Sequence, residues 1–274
     1  MTVSEALLNC ISAALDGREC ALTLAPDDWT ALLRLAGEQK LLPLVYAAVR
    51  GTPGFAAAPE AVRAAARRQT MREAAAQTVH TEAFLRLYQA LRAEGLAPVV
   101  VKGIVCRALY PQPELRPSSD EDLYLTAAEM PRFHAVLLRA GFVLTEPERD
   151  YRSAHEARYV HPDTGLVVEG HWALFPTEYA VYAALNVQLP DLMQRAQDWE
   201  SGGVTLRVPD ACDHLIFLLL HAFKHFISSG VGVRQLCDIA LWMRRFGAQI
   251  DWQRVRAALR ATHSEGFAAA GIDA

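Results

Sequence analysis

The stretch VVVKGIVCRALYPQPELRPSSDEDLYL, residues 99–125, decides how the fold is read. A run of three valines ends in Lys102-Gly103, a short apolar segment follows, and Asp120-Glu121-Asp122 then stands against Leu-Tyr-Leu. β-Branched residues suit a pleated, buried surface. APVVVKG therefore predicts a strand, IVCRALY a short helix and DEDLYLT a second strand. Residues i and i+2 of a strand project to the same side. Asp120 and Asp122 thus share one face, and Glu121 points to the other. Two carboxylates held that close repel unless a proton or a cation lies between them.

Outward from this stretch, the chain changes character on both sides. Before it, SEALLNCISAALDG reads as a helix with Ser4 as N-cap and Gly17 as stop. PDDWTALLRLAGEQKLLPLVYAAVRG continues the helical period with a break at Pro43. A long alanine-rich helix then runs from Pro59 to Gly95. Its Arg63, Arg67 and Arg68 read as a solvated face. After it, AAEMPRFHAVLLRAGF is helical, and FVLTE, EARYVHP and GLVVEGHWAL are strands, the last two joined by the turn HPDTG. PTEYAVYAALNVQLPDLMQRAQDWE returns to helix and GGVTLRVPD is a small strand. DACDHLIFLLLHAFKHFISSG, VRQLCDIALWMRRFG and DWQRVRAALRATHSEG are helices. The expected organisation is α+β: an N-terminal helical region at 1–95, a mixed-sheet core at 96–175 and a C-terminal helical region at 176–274.

The totals agree with a globular chain. It has 274 residues, 52% of them hydrophobic, enough to bury a core of one or two domains. The formal net charge of −4 recruits neither nucleic acid nor anionic lipid globally, so nucleic acid is a disfavoured partner and a membrane is not expected. Five widely spaced cysteines with no C-x-x-C read as free thiols of a reducing, cytoplasmic compartment. HLIFLLLHAFKHFI is too short an apolar run to span a bilayer.

The chemistry concentrates on acidic side chains. An oxygen-seeking Mg²⁺ would relieve the Asp120/Asp122 repulsion, taking carboxylates, substrate phosphates and water. Glu169, embedded in the apolar strand LVVEGHW, is the candidate third carboxylate. Such a site suits phosphoryl or nucleotidyl transfer. Lys102, Gly103, Arg116, Ser118 and Ser119 lie where phosphate oxygens would be met, with the amides of the following helix facing them. A lone D-x-D is also met at solvated strand ends. His171 alternates with Glu169 and lies beside the metals or is a satisfied core histidine. His221 and His225, at i and i+4, lack the glutamate of an H-E-x-x-H enzyme, so they read as a polar stripe facing the cleft, with Lys224 set to meet phosphate. There is no P-loop, Rossmann or nucleophile-elbow motif.

VVVKG, RALY, LRPSSDEDLYL and the later VVEGHWALF together resemble the bacterial uncharacterised nucleotidyltransferase family of the DNA polymerase β-like superfamily. LLLHAFKHF…VRQLCDIALWM is similar to that family's C-terminal helical pair. The resemblance implies a nucleotidyltransferase core using Mg²⁺ and an NTP, ATP foremost, to modify an unidentified acceptor. It implies Asp120, Asp122 and Glu169 as metal ligands, Lys102 and Gly103 near the phosphates, and Arg116 on the loop before the Asp pair. The wider superfamily has Gly-Ser where this chain has Gly103-Ile104. Kinase-like phosphoryl transfer at the same site, or a degenerate core that only binds nucleotide or a partner, are the alternatives.

Overall fold

The computed structural model describes residues 1–147 and 155–272. Residues 148–154 of the expected core and residues 273–274 of the expected C-terminal helical region lie outside the described residues. The described chain divides into two compact units.

The first unit comprises residues 1–79, 107–118 and 232–237. Its leading helix, Val3–Leu15, is capped by Thr2 and not by Ser4: the Thr2 side chain accepts the Glu5 N–H, and the Glu5 carboxylate accepts the Thr2 N–H at 2.7 Å. The reciprocal pair satisfies two donors that the helix start would otherwise leave open. Pro26–Glu38 and Leu42–Val49 follow, separated as Pro43 requires. Their apolar faces bury Trp29, Leu32, Val45 and Val49, and Trp29 meets Phe55 edge-on at 5.2 Å between ring centres. The helix Glu60–Ala93 belongs to the first unit up to Val79 and to the second from His80.

The second unit holds the sheet. Its strands are β1 (Val99–Val101), β2 (Asp120–Tyr124), β3 (Val143–Leu144), β4 (Glu156–Val160), β5 (Val167–His171), β6 (Gln197–Ser201) and β7 (Val204–Val208). They form one mixed sheet in the order β3-β4-β5-β2-β1-β7-β6. β2 runs parallel to β5 and antiparallel to β1, and β7 runs parallel to β1. This is the mixed α/β content expected of an α+β chain.

One sequence expectation fails here. QDWE, expected to end a helix, instead lies in β6, hairpin-paired with β7 across Gly202 and Gly203, whose φ values are +54° and +77°. Positive φ at both turn residues suits the twist of a two-residue hairpin. The alternation of Gln197, Trp199 and Ser201 with Asp198 and Glu200, followed by Gly-Gly, is a hairpin signal that the apolar spacing upstream obscured.

The two faces of the sheet divide the labour. On one, the helix Met130–Arg139 packs Phe133 against Tyr159 at 5.8 Å and against Gly170, where any Cβ would overlap the Phe133 ring. The acidic side chains project from the other.

Candidate active site

The register explains why the carboxylates meet. Asp122 of β2 pairs with Glu169 of β5, and Tyr124 with His171. Across the antiparallel β4/β5 pair, Glu156 faces His171 and Arg158 faces Glu169. Paired residues of neighbouring strands project to the same side, at closest side-chain approach. Asp120, Asp122, Glu169, His171, Glu156 and Arg158 therefore share one face.

Asp122 is only 3% exposed. Lys102 Nζ lies 2.9 Å from its Oδ2, and His171 Nε2 lies 3.0 Å from its Oδ1. Oδ2 is buried and receives no well-directed hydrogen bond among the described residues; the lysine contact is an ion pair without the alignment of one. Burial opposes the charge on Asp122, but Lys102 and His171 outweigh it and hold the carboxyl below its ordinary range. Glu169 responds the other way. Burial and the neighbouring Asp122, together with Asp120 and Glu156, push it up to about 7 despite His171. Two carboxylates share a site there and the field of one makes the other hard to ionise.

His171 ties the group together, 3.7 Å from Glu169 and, through Nδ1, 3.5 Å from Glu156. Burial lowers its basicity, yet Asp122, Glu156 and Glu169 together raise it above the ordinary histidine value. Asp122, Glu169 and His171 each offer a ligand atom within 4.8 Å of the others. This donor set fits a divalent cation: two carboxylates, one imidazole and a buried oxygen with acceptor capacity left over. Asp120, partly exposed at the mouth of β2, lies outside this tightest group, but its charge reaches both Glu169 and Lys102. Beside Glu169, an open cleft is lined by Leu144, Thr145, Glu156, Ala157 and Arg158.

Lys102 is held from two sides. Its backbone is left-handed, φ +57°, and its N–H donates to His214 Nε2 at 3.1 Å. Its Nζ also lies 3.1 Å from His221 Nε2. Burial disfavours the ammonium, but Asp122, Asp120 and Glu169 more than restore it. Both histidines come from the helix Ala211–Ser228, where burial keeps them neutral: His214 is pulled down to about 3 and His221 well below its ordinary value.

The remaining expected residues fall in several places. Gly103 has φ +40°, and a Cβ there would overlap the Glu121 carboxylate. The Ile104 N–H, expected to face phosphate, instead donates to Glu121 Oε2 at 2.8 Å on the opposite side of β2. Gly103 is thus small because Glu121 must approach the backbone. Lys224 is partly buried, and its charge reaches Glu156. Ser119 is exposed just before β2. Arg116 belongs to the first unit, where it is 2% exposed and lies 6.0 Å from the Tyr110 ring centre.

Sequence reasoning missed Glu156 and left His171 open. The HPDTG turn contained the signal. Counting outward from it pairs 160 with 167, 158 with 169 and 156 with 171, the observed register.

The class comes from the comparison of families, which makes the chain a transferase enzyme. The model of the uncharacterised nucleotidyltransferase family matches residues 25–273, and the chain belongs to that family. No curated protein and no solved structure matches it. No helix among the described residues is long and apolar enough to cross a membrane.

Proposed function

We propose that the chain transfers a nucleoside monophosphate from an NTP, ATP foremost, to an acceptor hydroxyl, phosphate or similar oxygen, at a site where Asp122 and Glu169, assisted by Asp120, hold Mg²⁺. The observation that carries the reading is the cross-strand pairing of the buried Asp122 with the half-buried Glu169, with a lysine ammonium against Asp122. The sequence likeness to the DNA polymerase β-like superfamily supports the same assignment.

The bound cation would supply charge neutralisation for the triphosphate and for the developing negative charge on it. The chain's own residues do the rest. The acceptor oxygen attacks the α-phosphorus. The bond from that phosphorus to the oxygen bridging it to the β-phosphate breaks, and pyrophosphate leaves with the electron pair. Glu169, which lines the cleft, takes the acceptor's proton. Lys102 and Lys224 meet phosphate oxygens, and the cleft beside Glu169 admits the acceptor. Ser119, exposed just before β2, meets a further phosphate oxygen.

The test uses each of the four NTPs, labelled at the α or at the γ phosphorus, with Mg²⁺ and a cell extract as acceptor source. Label is expected to move from the α position, with pyrophosphate released, and the movement is expected to vanish in Asp122→Asn. Transfer from the γ position would replace this reading with phosphoryl transfer. Turnover undiminished in the variant would overturn it.

A further inference from the structure

We infer that Lys102 is the resident counter-cation of the carboxylate pair, displaced when a divalent metal binds, and that His221 is the positioning residue that receives it. This rests on the metal-dependent reading of the site given above. The observations start at the backbone. A left-handed conformation is unfavourable for a non-glycine residue, and Lys102 adopts one with its N–H pinned to His214. Strain held in place by a specific partner fixes the root of the side chain, so only its end has freedom.

That end stands between two acceptors. Asp122 Oδ2 lies 2.9 Å away on one side and His221 Nε2 3.1 Å on the other, with the Phe217 ring centre at 6.0 Å. His214, Phe217 and His221 fall at i, i+3 and i+7 of one helix and so form a single stripe along it. One helix face thus holds the lysine at its amide and offers its ammonium a second seat.

The ammonium sits on one oxygen of a carboxylate that a metal ion would need. It neutralises the buried oxygen of Asp122 that accepts no directed hydrogen bond. A doubly charged ion seated on Asp122 and Glu169 would meet a like charge a few ångströms away and be repelled by it. The ammonium must then leave Oδ2. His221 is neutral because burial keeps it so, and its Nε2 lone pair is already in contact. The exchange therefore needs only a small swing of the lysine end. It delivers an ammonium beside the metal, placed to meet phosphate.

The experiment is a titration of the full-length chain with Mn²⁺, followed by electron paramagnetic resonance, without nucleotide. Lys102→Met is expected to bind Mn²⁺ about tenfold more tightly than the wild type or better, because the competing charge is gone. His221→Leu is expected to bind it about three- to tenfold more weakly, because the seat already in contact with the ammonium is gone and the next imidazole, His225, stands behind it with its Nε2 3.3 Å from that of His221. His221→Gln, which offers an amide oxygen, restores binding to near the wild-type value. The double variant Lys102→Met/His221→Leu binds like Lys102→Met alone, since with no lysine to receive, His221 has nothing to do. A merely structural histidine would weaken binding equally in both backgrounds. Lys102→Gln is run in parallel, so that a folding defect in the methionine variant does not decide the result. Mn²⁺ binding no tighter in either lysine variant than in the wild type overturns the exchange while leaving the metal site standing. Absence of saturable binding in the wild type and in both lysine variants overturns the metal-dependent reading itself, and the exchange with it.

Discussion

Two buried aspartates of the second unit, Asp122 and Asp213, meet their counter-charges in opposite ways. Asp213 is fully buried on the helix Ala211–Ser228. Arg195 grips it through Nε at 2.9 Å and a second nitrogen at 3.1 Å, and Arg254 closes on the same carboxylate. Asp210 caps the helix by accepting the Asp213 N–H at 2.7 Å and faces the same two arginines. Two carboxylates thus meet two guanidinium groups. A guanidinium is permanently charged and holds its forked geometry, so this cluster is locked. Asp122 instead has an ammonium, an imidazole and a second carboxylate directly opposite. Its partners are groups that can move or change charge, and Glu169 beside it is left hard to ionise. Burial and acidity alone do not tell the two apart; the chemistry of the counter-charge does.

The largest expected effect separates the two aspartates by activity. Asp122→Asn is expected to lower Mg²⁺-dependent NTP turnover by about three orders of magnitude or more, with the circular dichroism spectrum unchanged. Asp213→Ala should do the reverse. It leaves two half-buried arginines with Asp210 alone and is expected to cost about 2–3 kcal/mol in denaturant unfolding, because the charge-assisted hydrogen bonds to a buried carboxylate are lost. Its turnover per folded molecule should stay near the wild-type value. If both variants lost activity without losing stability, the contrast would break.

A smaller effect concerns Gly103. Gly103→Ala adds a Cβ at positive φ where it overlaps the Glu121 carboxylate. A loss of about 1–3 kcal/mol in unfolding free energy is expected. Restored stability in Gly103→Ala/Glu121→Ala would show that the small residue is there for the glutamate.

Acid sharpens the comparison further. His214 is held neutral, titrating at about 3 in the folded chain against 6.5 for an ordinary histidine. The unfolded chain therefore binds this proton first as pH falls. The contribution of His214 to stability is complete above 6.5, declines as pH drops from 6.5 towards 3, and is gone below it. The acid dependence of unfolding in that window should be shallower in His214→Asn. The smallest effect lies in the first unit: Thr2→Ala removes a capping box and is expected to cost about 1 kcal/mol, leaving Mn²⁺ affinity unchanged.

The legibility of the molecule followed the range of the forces involved. Local signals were clear in the sequence: valine runs gave β1, Pro43 separated two helices, and Gly95 closed the long one. The Asp120/Asp122 face and its strand-borne partner Glu169 were also readable, because a period of two is a local rule. What escaped depended on long-range pairing. Glu156 enters only through the β4/β5 register, and the lysine–histidine contact joins residues 102 and 221, far apart in the chain. Glu121 was read correctly as facing away, but its role in holding the Ile104 amide depends on how β2 packs against the segment after β1. The β6 strand was lost because the apolar spacing before it favours a helix, and only its pairing with β7 settles the matter.

The most direct test of the central claim is the anomalous diffraction of Mn²⁺-soaked crystals. A single strong peak is predicted between the carboxylates of Asp122 and Glu169, within bonding distance of both. A peak elsewhere, or none at that position under saturating Mn²⁺, would contradict the account.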